Sequence, residues 1–199
     1  MASDRRDKEA KTLRQHLRGA TASAHDTLDT SMRPASDWSS RDDYARFLST
    51  QYAARGAVEH WLSVNAPKDL FPPEQTPLLE RDLAALGSVI EEKPGKLALT
   101  YEGEATAIGV AWVLAGSSLG NRAMLHEMQR TLPEGTQWPH EFLSSRAMTE
   151  FWKALRARVE VPVSEEEAGE ATRAATCVFE HFLKFSQPQT ADPVMVDAR

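Results

Sequence analysis

The chain has 199 residues, a formal net charge of −6 and one cysteine, and 41% of its residues are hydrophobic. This length suits one globular domain, and the single Cys177 excludes an internal disulfide and a cysteine-rich metal site. The acidic balance argues against nucleic-acid binding through bulk positive charge. No apolar run approaches the roughly 20 residues of a membrane span, and the charged N-terminus lacks the apolar core of a secretory signal. We therefore predict a cytoplasmic globular protein with no membrane span and no nucleic-acid partner.

Hydrophobic spacing predicts helices in the first half of the chain. Apolar side chains three or four residues apart indicate a first helix that begins near residue 9 and ends before Pro34. Ser40 and Asp43 form a capping pair that opens a second helix. Thr76 as N-cap, followed by a proline in the first turn, opens a third helix that extends to Val89.

The second half of the chain is also predicted to be helical. Residues 106–128 are the most apolar segment, residues 132–139 have the composition of a loop, and a further helix covers residues 145–159. Ser164 and Glu167 form a second capping box, which opens the last helix. Residues 159–163 are the one short candidate strand. We predict an all-α bundle of about six or seven helices over residues 10–186, with flexible termini at 1–9 and 187–199.

One histidine of the first helix is a candidate ligand. In the segment ATASAHDTL (residues 20–28), His25 lies at the edge of the apolar stripe, and Thr21 and Arg18 lie on its side of the helix. This position suits an ordinary boundary histidine. It also suits a ligand of a metal or haem, because neutral imidazole is a common metal donor. Spacing alone leaves both interpretations open.

A glycine-rich helical segment, VLAGSSLGNR (residues 113–122), is the second candidate. Gly116 and Gly120 share one helical face with Gly109. Glycine in a helix interior costs about 1 kcal/mol relative to alanine, so its repetition on one face indicates a close approach by something else. That neighbour is either another helix or a flat ligand.

The same segment matches the Gly-x-Ser-x-Gly nucleophile elbow of α/β-hydrolases at residues 116–120. An elbow requires a multi-stranded sheet, and the remainder of the chain provides no strands for one. A hydrolase is therefore a minor alternative.

Together, LRGATASAHDTLD (residues 17–29) and VLAGSSLGNR resemble the proximal and distal helices of the haem oxygenase family, especially its bacterial biliverdin-producing branch. The resemblance covers most of residues 10–186 in order and spacing. It implies an all-α fold with haem between the first helix and a kinked distal helix. It also implies cleavage of haem at a meso carbon to biliverdin, carbon monoxide and ferrous iron with O2. The electrons would come from an external ferredoxin or reductase, and a biliverdin-using phytochrome is a further partner that the bacterial context implies.

The resemblance assigns roles to particular residues. His25 would be the axial ligand of the haem iron, and Thr21 would lie beside it in the haem-binding set. Gly116 and Gly120 would let the distal helix lie on the porphyrin. Arg18 and Lys184 would pair with the propionates, with Arg173 as an alternative to Lys184 on the last helix.

The chain departs from the family pattern on the distal helix. Asn121 stands where many members have a small residue, and Ser117 stands where animal enzymes have an aspartate. Both residues are therefore candidates for altering oxygen activation. Asn121 also motivates an alternative, a non-catalytic haem carrier or sensor on the same fold. A third possibility is a thiaminase-like relative with its chemistry on Cys177.

Overall fold

The computed structural model describes residues 11–36, 38–90, 95–100 and 102–186, and for residues 33–36 it describes the backbone alone. The termini that we predict to be flexible, residues 1–9 and 187–199, lie outside these ranges. The account that follows concerns the described residues.

The described part of the chain is helical, as predicted. A one-turn 3-10 helix, Lys68–Leu70, follows the second of seven α-helices. These are α1 (Leu13–Ser36), α2 (Arg41–Asn65), α3 (Thr76–Leu86), α4 (Glu104–Thr131), α5 (Glu141–Ser144), α6 (Ala147–Val159) and α7 (Glu165–Ser186). The all-α prediction is confirmed.

The main core lies where α4 and α7 pack against each other and α1 covers α7. Gly109 of α4 allows the closest part of this packing. A Cβ atom at Gly109 would lie 2.1 Å from the backbone oxygen of Ala171, so only glycine fits there without movement of α7. A second core cluster joins α2, α3 and α5 around stacked aromatic rings, including those of Tyr44 and Trp138.

Both predicted capping pairs are present. The Ser40 hydroxyl accepts a hydrogen bond from the Asp43 backbone N–H at 3.1 Å, and the Asp43 carboxylate accepts one from that hydroxyl. At α7, the Ser164 backbone N–H donates to the Glu167 carboxylate at 2.9 Å, and the Glu167 N–H donates to the Ser164 hydroxyl at 3.2 Å. These bonds satisfy N–H groups that a helix start otherwise leaves unpaired.

The first helix is displaced along the chain from its predicted position, since α1 begins at Leu13 rather than near residue 9 and continues through Pro34 to Ser36. Proline removes one backbone hydrogen bond, but only two helical residues follow Pro34, so little helix depends on the missing bond. The short helix α5 was not predicted, because four residues are too few for a periodic pattern. The candidate strand at 159–163 forms a single bridge between Pro162 and Thr12.

The third helix begins and ends differently from the prediction. Thr76 is its first helical residue, and the Glu59 side chain from α2 supplies the cap that Thr76 was expected to provide. The helix ends at Leu86 because Gly87 adopts the left-handed conformation, with φ of 76°. Val89 therefore lies outside the helix, and it is 79% exposed.

Among the helices of the described ranges, none combines the length and the apolar character that crossing a membrane requires.

Candidate functional site

A cavity of about 480 Å3 lies between α1, α4 and α7. This volume is within the range of about 300–1,000 Å3 that is typical of small-molecule and cofactor sites. Helix α1 provides most of the polar side chains of the wall, α4 provides a glycine-containing surface, and α7 provides Phe179 and Phe182. Trp152 of α6 closes one side.

His25 lies on the α1 wall of this cavity with its side chain 59% exposed. Its Nδ1 atom is 3.3 Å from the Asp29 carboxylate, one helical turn further along. Its ring meets Phe179 of α7 edge to face, with 6.2 Å between the ring centroids. Because Nδ1 faces a carboxylate, Nε2 is the ring nitrogen available to a ligand, an arrangement that is common at histidine metal ligands.

The α4 wall offers open backbone where glycines lack side chains. A Cβ atom built on Gly116 or on Gly120 would meet no atom within 4 Å. Gly116 lines the cavity, whereas Gly120 is exposed just beyond the lining. The open surface at Gly116 fits a flat ligand that approaches the helix backbone, as a haem does.

Aromatic and aliphatic side chains complete the wall. Trp112 of α4 and Trp152 of α6 contact each other with ring centroids 5.0 Å apart. With Phe179, Phe182 and Leu28 they form an apolar surface that suits a large aromatic ring system. The lining residues therefore fit haem in both shape and polarity.

Basic side chains lie at one edge of the cavity. Arg14 and Arg18 of α1 both belong to the lining, and Arg14 forms a 3.0 Å ion pair with Glu160. Thr21, between these arginines and His25, donates its hydroxyl to the Leu17 carbonyl at 2.8 Å. Thr21 is therefore a wall residue whose hydroxyl is already used by its own helix.

Behind the α4 wall lies a buried arginine that the sequence analysis did not single out. Arg55 of α2 is 1% exposed, and its Nη2 donates to the Ser117 hydroxyl at 2.8 Å. Burial lowers the pKa of the Arg55 guanidinium and the Glu59 carboxylate raises it, and the group stays charged at neutral pH. The available signal was a lone arginine among small apolar residues, AARGA, with a glutamate four residues later.

Five of the predicted site residues come together at the cavity: Arg18, Thr21, His25, Gly116 and Ser117. The other three do not reach the lining. Asn121 is 7% exposed and follows Gly116 by five residues, which places it about 140° around the helix. Lys184 is exposed and follows Phe182 by two residues, on nearly the opposite side of α7.

The structure also bears on the two minor alternatives. Residues 116–120 lie inside α4, and the Ser117 hydroxyl donates to the Leu114 carbonyl at 2.8 Å, so the nucleophile-elbow interpretation is wrong. Cys177 lies outside the cavity, and its thiol donates to the Ala98 carbonyl at 3.4 Å. Burial, and to a smaller extent Glu180, raise the pKa of that thiol, which disfavours a nucleophilic thiolate.

Within the described ranges, no group of three or more His, Cys, Asp or Glu side chains is arranged to hold a bare metal ion.

Comparisons with known proteins define the class of this fold. A crystal structure of the NO- and CO-bound haem oxygenase from Neisseria meningitidis matches with a TM-score of 0.64 at 23% identity, over 89% of this chain and 91% of that one. The chain therefore has the haem oxygenase fold. In sequence it is 26% identical over 174 residues to haem oxygenase PigA of Pseudomonas aeruginosa, across 84% of this chain and 88% of that protein. No protein-family model matches the chain. The predicted resemblance to haem oxygenases is confirmed by the two matches.

Proposed function

We propose that this protein is a haem oxygenase, which cleaves haem at a meso carbon to biliverdin, carbon monoxide and ferrous iron. One observation carries the proposal: His25 of α1 and the open glycine surface of α4 line the same cavity. The fold match and the sequence similarity to PigA support it independently. Haem, when bound, supplies the iron that activates O2 and is itself the substrate.

The residues of the chain divide the work of holding this substrate. His25 offers Nε2 to the iron, and the Asp29 carboxylate fixes the orientation of the imidazole through Nδ1. Gly116, which leaves the α4 backbone uncovered at the cavity, would let this helix approach the porphyrin closely. The apolar walls exclude bulk water from the rest of the ring.

Basic residues on α1 hold the propionates in this proposal. Arg18 is exposed at the cavity edge, where its guanidinium can pair with a carboxylate. Arg14 is a second cation at the same edge, already paired with Glu160. Contacts of this kind would orient haem in the cavity and would thereby favour cleavage at one meso carbon.

Electrons come from outside the chain in this proposal, because the sequence carries no nucleotide- or flavin-binding fingerprint. A ferredoxin or a reductase is the expected donor. A biliverdin-using phytochrome as the consumer of the product, and a cytoplasmic location, stay predictions.

Haemin titration of the purified protein tests the proposal. We expect a Soret band that saturates at one equivalent, and biliverdin after addition of ascorbate or a reductase. His25→Ala should weaken or shift that band because it removes the iron ligand. His126→Ala, which changes an exposed histidine on α4 outside the cavity, is the matched control and should titrate like the wild type. Absence of a Soret band in the wild type would refute the proposal.

A pair of charge variants tests the propionate assignment. Arg18→Gln should weaken haem binding about two- to fivefold, the size expected for a solvent-exposed ion pair. Lys184→Gln should leave the affinity unchanged, since Lys184 lies away from the cavity lining. Equal losses in both variants would restore Lys184 to the haem-binding set.

The haem carrier or sensor is the second candidate function. It was suggested by Asn121, whose amide would have to lie beside the iron. Asn121 is buried and does not belong to the cavity lining. Stoichiometric haem binding without biliverdin formation, under conditions that reduce the iron, would favour the carrier over the enzyme.

A further inference from the structure

Arg55 is an unusual residue for its position. Its side chain is 1% exposed, and it uses one nitrogen, Nη2, to donate to Ser117. Its Nε and Nη1 have no hydrogen-bond partner among the described residues. A buried donor without a hydrogen-bond partner lowers the stability of the folded state, and a buried charge lowers it more. A contribution to stability therefore does not explain why an arginine occupies this position.

Glu59 does not neutralise this charge fully. The nearest approach between the two side chains, Arg55 Nη1 to Glu59 Oε1, is 4.0 Å, which is longer than a hydrogen bond. Both carboxylate oxygens are already used at the start of α3. Oε1 accepts from the Gln75 N–H at 2.9 Å, and Oε2 accepts from the N–H and the hydroxyl of Thr76 at 3.2 and 2.8 Å.

The guanidinium also faces an apolar ring. Its Cζ atom lies 5.4 Å from the centroid of the Phe142 ring, which is itself buried. Because the surroundings have a low dielectric, the charge is screened less than it would be in water. Its hydrogen bond to Ser117 connects the guanidinium to a residue that lines the cavity.

Two hydrogen bonds fix the orientation of the Ser117 hydroxyl. Its hydroxyl hydrogen goes to the Leu114 carbonyl, and one lone pair of Oγ accepts from Arg55. The second lone pair remains for an acceptor role at the cavity wall, of which Ser117 is part. Loss of the arginine would leave the bond to the Leu114 carbonyl in place, but it would free the lone pair of Oγ that accepts from Arg55 and would remove the positive charge behind the hydroxyl.

We propose that Arg55 is a positioning residue for the haem site, which holds one lone pair of the Ser117 hydroxyl and places a positive electrostatic potential on the α4 wall of the cavity. The potential favours electron-rich ligands in the space beside Gly116 and Ser117. This inference rests on the proposed function, because it assumes that haem occupies the cavity.

The infrared stretching frequency of carbon monoxide bound to the ferrous haem complex measures this potential directly. A positive potential lowers the frequency, because it draws electron density from iron into the C–O antibonding orbital. Arg55→Gln should therefore shift the band to higher wavenumber, and Arg55→Lys should restore most of the wild-type frequency. Circular dichroism and haem stoichiometry establish that each variant is folded and loaded.

Glu59→Gln provides the matched control within the same buried pair. It removes the negative partner while it keeps one accepting oxygen for the start of α3, so the uncompensated arginine should move the band to lower wavenumber. Opposite shifts in the two variants are the signature of charge, whereas loosened packing would move both in the same direction. A double-mutant cycle with Ser117→Ala tests the route, since Arg55→Gln should cause a smaller shift when Ser117 is absent.

The outcomes separate the two proposals. Failure of the wild type to bind haem refutes the proposed function. With haem bound, an unchanged band in folded Arg55→Gln, or shifts of the same sign in Arg55→Gln and Glu59→Gln, overturns the role of Arg55. An equal shift with and without Ser117 overturns action through that hydroxyl. If Arg55→Gln does not fold, an unchanged band in Glu59→Gln overturns the proposal.

Discussion

Two stretches of α4 carry glycine on the same face and use it in opposite ways. At Gly109 the backbone of α7 fills the space, and a Cβ atom would lie 2.1 Å from the oxygen of Ala171. At Gly116, seven residues later and on nearly the same face, a Cβ atom would meet nothing within 4 Å. The first glycine serves packing between helices, and the second leaves room for a ligand.

The partner helix explains the difference. The part of α7 near Gly109 has small buried side chains, Ala168, Ala171, Ala174 and Ala175. Further along α7 the buried side chains become large, and Phe179 and Phe182 line the cavity. Small residues let two helices approach closely, and large ones hold them apart. A glycine face is thus closed or open according to the residues of the facing helix.

The largest effect is expected for Gly109→Ala, which tests the closed half. The new methyl group would clash with the backbone of α7, so the α4–α7 contact must shift. We expect a loss of about 3 kcal/mol in the free energy of unfolding, measured by urea denaturation of the haem-free protein. Stability equal to that of the wild type would show that this half is not closed.

Gly116→Leu tests the open half and should have a smaller effect, confined to the ligand. Leucine favours the helix more than glycine does and its Cβ atom would meet no neighbour here, so the haem-free protein should be as stable as the wild type or more so by up to about 1 kcal/mol. The side chain would occupy the cavity, and we expect haem affinity to fall at least about tenfold, which corresponds to about 1.4 kcal/mol. A destabilised Gly116→Leu protein with normal haem affinity would show that Gly116 serves helix packing and not ligand binding.

A buried histidine of α7, between the two phenylalanines that line the cavity, provides the smallest expected effect. His181 of α7 is 9% exposed and its Nε2 is 3.0 Å from the Ala54 carbonyl. Burial lowers the pKa of His181, the bond to Ala54 raises it to a smaller extent, and Lys184 lowers it further. In the unfolded chain the imidazole takes up a proton near pH 6.5. Below that pH the unfolded state binds more protons, so stability should fall as pH decreases.

Urea denaturation between pH 7.5 and 5.5 measures this dependence. A single group contributes at most about 1.4 kcal/mol for each pH unit. His181→Gln retains a side chain that can donate to the Ala54 carbonyl and has no proton to gain, so its stability should depend less on pH over this window. Parallel curves for the two proteins would contradict a buried neutral His181.

Periodicity and capping chemistry were sufficient to predict the all-α class and most of the helices, whereas the haem oxygenase type of bundle was implied by the resemblance. The pairs Ser40 with Asp43 and Ser164 with Glu167 are local, and their hydrogen bonds form as predicted. The start of α3 was predicted wrongly because its cap comes from Glu59, sixteen residues away in the chain and on another helix. Local patterns carry no information about such a partner.

The candidate site was predictable to a similar degree. Arg18, His25 and Gly116 reach one cavity, as the resemblance implied. Lys184 does not, because the direction of a side chain on α7 depends on how the helix is rotated against its neighbours. Arg55 was missed because a charged residue among alanines gives no periodic signal, and its importance is visible only through Ser117.

The Glu59 carboxylate constrains how the sequence can change among relatives. It caps the start of α3 and also faces the Arg55 guanidinium behind the cavity, so a substitution at position 59 affects two interactions at once. A relative that replaces Arg55 by a neutral residue keeps a buried carboxylate without its nearest cation, unless position 59 changes with it. Positions 55 and 59 should therefore vary as a pair among relatives, and the residues that begin α3 should vary with them.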